Sequence, residues 1–269
     1  MKISASTLGC PDWPLATILA RYPGYGFDAV DFRGLAGELN VWKLPEFSAA
    51  AEATAERIAA AGLAVSCFSS GARMFDPDIG ARQGHVAEVA EYARLCRVFG
   101  ARLIRVFGGR TGGVPVAEAV APAVEALRRM ADAAGDDVTI GVETHDDWVA
   151  TAPLAEAIAR AGRANVGVIW DLHHPYRLAG EAPRETHANI GAMTVGVHVK
   201  DSRRVGGGKY EPCLPGRGGD VPLAEMVALL AAGGYAGYLT LEWEKKWHPE
   251  IPGPDEALPA YAALMKTLG

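Results

Sequence analysis

Four pairs of charged or titratable residues, each two apart and each closing an apolar run, carry the chemistry legible in this chain. They are Glu143/His145 in GVETH, Asp171/His173 in GVIWDLHH, His198/Lys200 in GVHVKD and Glu242/Glu244 in LTLEWE. Side chains at i and i+2 of a strand project from the same face. Four such strand ends standing side by side would bring the carboxylates of Glu143, Asp171 and Glu242 to the imidazole of His198. Carboxylates gathered away from water repel one another unless a cation or protons neutralise them. The set therefore predicts a site for one divalent metal ion. Its oxygen-rich donors favour Mn²⁺ first, then Mg²⁺, with Co²⁺ or Zn²⁺ as alternatives. The competing reading is a polar layer in which the same acids pair with Lys200, Arg105 or Arg33.

The elements that must hold these residues are readable from periodicity. Short β-type runs occupy 2–8, 29–34, 64–70, 102–108, 139–145, 166–173, 194–201 and 237–244. Between them lie Ala/Leu-rich stretches with helical spacing at 45–61, 81–99, 115–134, 152–161, 221–232 and 254–268, with shorter candidates at 13–22 and 183–190. Glycines near each return from helix to strand (Gly26, Gly62, Gly100, Gly135, Gly162, Gly191 and Gly233/Gly234) are expected to end the helices in the left-handed region. Eight βα units in about 250 residues predict an α/β fold, a (β/α)8 TIM barrel, as a single domain over 1–269. The runner-up, a doubly wound sheet, lacks its phosphate loop: GCPDWP follows the first run, and no GxGxxG or GxxxxGK[ST] opens a helix. Segment 206–222 (GGGKYEPCLPGRGGDVP) reads as a long loop at the functional end of the barrel.

Composition narrows the partners. With 49% hydrophobic and 22% charged residues, the chain can bury a large core. A net charge of −6 gives no electrostatic reason to expect nucleic acid. Cys10, Cys67, Cys96 and Cys213 form neither a CxxC nor a dense disulfide framework, which fits a reducing cytoplasm. No apolar run suggests a membrane span or a signal peptide. No GxSxG elbow supports a serine nucleophile. The loop at 247–254 is a candidate contact in a homo-oligomer, and Trp247 and His248 in it are candidates for a lid.

With these motifs in view, the chain resembles the xylose-isomerase-like barrels, the sugar isomerases and epimerases related to tagatose 3-epimerase, hydroxypyruvate isomerase and inosose dehydratase. The resemblance runs over essentially the whole chain and is most specific in 139–244. It implies that Glu143, Asp171, His198 and Glu242 bind one metal ion and that Glu143 and Glu242 are the acid/base pair acting on a small sugar or polyol through an enediolate. By the same resemblance, the pattern Asp171-Leu-His-His174 makes His174 a substrate contact, where plain alternation would choose His173. Arg204, six residues past His198, and Arg217 in PGRGGDVP are alternative substrate contacts. From their own chemistry, His145 and Lys200 can donate hydrogen bonds to substrate or belong to the polar layer, and Glu244 can orient a ligand or touch substrate.

A keto-sugar dehydratase or lyase is the alternative activity, and a sugar-binding barrel without turnover is the reading from another class. The DNA-repair branch related to endonuclease IV is disfavoured. It requires further histidines after runs 2, 3 and 4, which here read DFRG, CFSSG and RVFGG.

Overall fold

In a computed structural model, the chain forms a closed barrel of eight parallel strands, β1-β2-β3-β4-β5-β6-β7-β10 around the ring. The structure describes residues 1–268. The barrel strands are β1 (Lys2–Ser6), β2 (Ala29–Phe32), β3 (Ala64–Arg73), β4 (Leu103–Phe107), β5 (Thr139–Glu143), β6 (Val166–Asp171), β7 (Thr194–Val199) and β10 (Tyr238–Leu241). The outer layer is α1 (Leu15–Tyr25), α2 (Ala51–Ala60), α3 (Ile79–Phe99), α4 (Val116–Ala134), α5 (Thr151–Ala161), α6 (Pro183–Ile190), α7 (Leu223–Ala232) and α8 (Pro254–Leu268). All eight expected βα units are present. Among the described residues no helix is long and apolar enough to cross a membrane.

Helix α3 starts where the Asp78 carboxylate accepts the Gly80 N–H, and it ends at Gly100, left-handed with φ 66°. Between the barrel and helices α2 and α3, Phe32, Phe47, Phe68, Tyr92 and Phe99 form a cluster with ring centroids 4.9–6.1 Å apart, so sheet and helices share one packed core. Gly191 departs from the expected left-handed helix end: its φ is −54°. A Cβ there would come within 2.7 Å of the His187 ring, which packs over it.

Two further departures matter for the site. Except for β3, which runs on to Arg73, the barrel strands end earlier than the apolar runs do, so His145, His173, Lys200, Glu242 and Glu244 lie on the loops just past β5, β6, β7 and β10. The segment read as a plain loop contains an antiparallel hairpin, β8 (Ser202–Val205) with β9 (Lys209–Pro212), turned by Gly206–Gly208. Its polar composition hid it, because with neither face in the core it shows no alternation. Asp201 ties the hairpin's base by accepting the N–H groups of Ser202, Gly216 and Val221.

Candidate metal centre

The registers Phe107↔Glu143, Asp171↔His198 and Thr240↔His198 bring the ends of β4, β5, β6, β7 and β10 to one level at the barrel mouth. Glu143, Asp171, His198 and Glu242 are all buried there, and each offers a donor atom within 4.8 Å of the others. Glu143 Oε2, Asp171 Oδ2 and Glu242 Oε2 are buried without a well-aligned hydrogen bond. Three buried carboxylate oxygens gathered around one imidazole are a donor set that fits a divalent cation.

Each donor is held by its neighbours. Asp171 Oδ1 accepts the His173 and His174 N–H groups at 2.8 and 3.0 Å, a turn that caps β6 and leaves Oδ2 facing the cluster. His198 Nδ1 lies 3.0 Å from Glu143 Oε1 and 3.5 Å from Glu242 Oε2. Its other nitrogen, Nε2, lies 3.5 Å from Asp31 Oδ2. Asp31 in turn accepts the Ser69 hydroxyl at 3.0 Å. Asp31 was absent from the sequence-based set because AVDFRG closes with a single acid and no histidine. The signal available was an acid at the mouth end of an otherwise apolar strand.

A carboxylate behind a histidine fixes the ring and its tautomer, leaving the opposite nitrogen for the ion. Asp31→Ala is therefore expected to weaken metal binding by about 10- to 100-fold while one ion per chain still binds at saturation, as read by metal titration.

Cations complete the balance. Lys200 Nζ stands 2.6 Å from Glu242 Oε2, 3.1 Å from Asp171 Oδ2 and 3.5 Å from Glu244 Oε1. Arg105, fully buried inside the barrel, lies 3.4 Å from Glu143 Oε2 and stacks on Phe107 at 3.7 Å. The polar-layer reading thus describes part of what is seen, and the two readings coexist.

Burial alone would strip the Lys200 proton, but Asp171, Glu242 and Glu244 hold its pKa well above the ordinary lysine value. Burial opposes the Glu242 charge too, yet Lys200 and His198 pull that carboxyl well below its usual range. Burial and Glu242 work against the Glu143 charge, and His198 with Arg105 outweighs them, so it is lowered as well. Burial disfavours imidazolium at His198, but Glu242 and Glu143 raise its pKa well above the usual value. The cluster is held as anions and cations, and a metal ion would take the place of the His198 proton.

A cavity of ≈ 200 Å³ adjoins the cluster, walled by His173, His174, Lys200, Tyr210, Glu242, Glu244 and His248, among others. His174 is buried, and its Nδ1 lies 3.0 Å from the Thr144 carbonyl oxygen. Burial lowers its pKa, so the ring is neutral and donates from Nδ1. His173 also reaches the wall, where Ser202 Oγ lies 2.9 Å from its Nε2, and burial pulls its pKa down to about 3.

His145 faces a neighbouring hollow with Arg73, Phe107 and Arg110, and its Nδ1 is 3.1 Å from Asp146. Burial works against its charge, but Asp146 and Glu143 leave its pKa raised. Neither expected arginine is brought to the cavity. Arg204 is exposed on the hairpin, 6.0 Å from the Tyr210 ring, and Arg217 is exposed in the following loop. The hairpin carries Arg204 outward and the loop after it carries Arg217, while the buried Arg177 is bonded to Ser202 and paired with Asp220. Trp247, the lid candidate, is half exposed with Lys246 above it, while His248 lines the cavity.

The family profile of the xylose isomerase-like TIM barrel matches residues 20–267. The chain belongs to that family. No curated protein matches it by sequence. Among solved structures it resembles the IolI protein with a bound zinc atom, at TM-score 0.83 and 16% identity over 100% of this chain and 98% of that one. It also resembles 3-keto-D-glucoside 4-epimerase from E. coli, at TM-score 0.79 and 18% identity over 99% of both chains. A third likeness, covering 99% of both chains at TM-score 0.79 and 14% identity, is to the probable 3-DHS dehydratase AsbF from Bacillus anthracis. At these identities the likeness establishes the fold of this xylose isomerase-like barrel.

Proposed function

We propose that this xylose isomerase-like barrel is a divalent-metal-dependent isomerase or epimerase of a small sugar or polyol. The observation that carries the reading is the cluster of Glu143, Asp171, His198 and Glu242, whose buried carboxylate oxygens converge beside a cavity of monosaccharide size. A divalent ion held by these four residues would polarise neighbouring substrate oxygens and so acidify the adjacent C–H.

The chain's own residues do the rest. Glu242, on the cavity wall, takes the proton from carbon and returns it at the neighbouring carbon of the enediolate. In an epimerisation Glu143 takes up a proton before turnover and gives it to the opposite face, while Glu242 keeps the proton it removed and loses it to solvent afterwards. Lys200 on the wall donates hydrogen bonds to substrate oxygens, while the His174 Nε2 lone pair and the Glu244 carboxylate accept from substrate hydroxyls. His145 at the rim serves a longer substrate, while Arg204 and Arg217 are assigned no contact.

A dehydratase is the second reading. It is favoured by the Lys200 ammonium, placed to protonate a departing β-hydroxyl, and by the likeness to a probable dehydratase.

The test is elemental analysis of protein purified without chelator or nickel, followed by ketose-dependent exchange of carbon-bound hydrogen with solvent deuterium. About one Mn, Mg, Co or Zn per chain in the wild type, lost in the Asp171→Ala, Glu242→Gln double variant, is the expected result. A wild type that binds no ion after Mn²⁺ addition would leave the barrel as a binding protein.

A further inference from the structure

The same mouth holds a second group of potential ligands, and it shares a residue with the first: Asp171, His173 and His174 also offer donor atoms within 4.8 Å of one another. His173 is committed elsewhere. Arg177 donates to Ser202 Oγ at 3.0 Å, so the Ser202 proton is directed to His173 Nε2. His174 is different. Its Nδ1–H is spent on the Thr144 carbonyl, so the lone pair of Nε2 points into the site, the arrangement in which a metal-binding histidine is usually held.

What that lone pair meets is Lys200 Nζ, 3.4 Å away. Around this one ammonium stand Glu242 Oε2 at 2.6 Å, Asp171 Oδ2 at 3.1 Å, His174 Nε2 at 3.4 Å and Glu244 Oε1 at 3.5 Å. Three carboxylates and an imidazole repeat the donor set of Glu143, Asp171, Glu242 and His198. Asp171 and Glu242 belong to both sets, as bridging carboxylates do in two-metal centres, where the ions lie about 3.5–4 Å apart. Strand β7 delivers His198 to the first position, and Lys200, just past its end and two residues on, reaches the second.

We infer that the Lys200 ammonium occupies what would otherwise be a second divalent-cation position, and that it is this side chain which keeps the centre to one metal ion. The inference rests on the reading that Glu143, Asp171, His198 and Glu242 bind an ion. A tethered single charge satisfies the shared carboxylates without setting two divalent ions against each other, and it cannot be lost to a chelator. Removing it leaves Asp171, Glu242, Glu244 and His174 around a space that opens on the cavity, through which a hydrated ion can enter.

The experiment is a Mn²⁺ titration of metal-free wild type, Lys200→Ala and Lys200→Ala/His174→Ala, read by elemental analysis and electron paramagnetic resonance. The expected result is one ion per chain in wild type, two in Lys200→Ala with the spectrum of an exchange-coupled pair, and one again in the double variant. Lys200→Ser carries the same expectation and covers a failure of the alanine variant to fold.

A wild type that saturates with two coupled ions overturns the inference. So does a folded Lys200→Ala or Lys200→Ser that stays at one ion, or whose extra ion is uncoupled and lies elsewhere on the surface. In those cases the proposed function stands. A wild type that binds no ion brings down both.

Discussion

Replacing Glu242 with glutamine is expected to lower turnover by about 10²- to 10⁴-fold, the usual contribution of a positioned acid/base group. The amide keeps the volume of the carboxylate and one oxygen for the cluster, so the barrel stays folded and an ion is still bound, more weakly. What disappears is the only group on the cavity wall that both belongs to the four-residue cluster and can accept a proton from carbon. Solvent deuterium exchange into substrate measures this step directly and separates it from product release. Exchange at the wild-type rate in a metal-loaded Glu242→Gln would remove Glu242 from its role and move proton transfer to Glu143. Loss of exchange together with loss of all metal would make Glu242 a ligand first.

The second large effect concerns stability, at a residue that touches no substrate. Trp148 follows β5 in the loop that carries His145 and Asp146, and it is fully buried. Its side chain packs against Gly108 in the β4–α4 loop: a Cβ there would come within 2.5 Å of Trp148 Cδ1. Asp147 pins the same two loops by accepting the Thr111 N–H at 2.7 Å and the Thr111 hydroxyl at 3.1 Å. Trp148→Ala is expected to cost about 3–5 kcal/mol, the range for emptying a buried tryptophan site. For a chain of this size that lowers the melting temperature by roughly 10 °C. Thermal and urea unfolding read it. A loss below about 1 kcal/mol would mean that the Asp147–Thr111 contact alone holds these loops.

How far each feature was legible follows from the range of the physics behind it. The eight strands were legible because parallel strands buried on both faces are apolar throughout and end abruptly at polar residues. Seven of their ends were overrun by one to three residues and that of β3 fell three short, since a side chain at the mouth can be polar whether its backbone is still paired or already turning. Glu143, Asp171, His198 and Glu242 could be proposed from spacing because a barrel sends every strand end to one face. Asp31 escaped because its partner, His198, is more than 160 residues away in sequence and no local repeat links the two. The hairpin escaped because strands without a buried face carry no alternation.

The amino-acid sequence by itself determined the number and order of the βα units, the end of the barrel at which the candidate site stands, and the types of donor available there, all of which are set by local periodicity and composition. Tertiary structure alone decided which donors meet. It placed Lys200 among Asp171, Glu242, Glu244 and His174, set Asp31 behind His198, gave Arg105 to Glu143, and left Arg204 exposed on the hairpin and Arg217 exposed in the loop after it. The reason is that closing a barrel fixes strand register and side-chain reach across residues far apart in the chain. Distances of a few ångströms between charges depend on that closure, and no pattern along the chain records them.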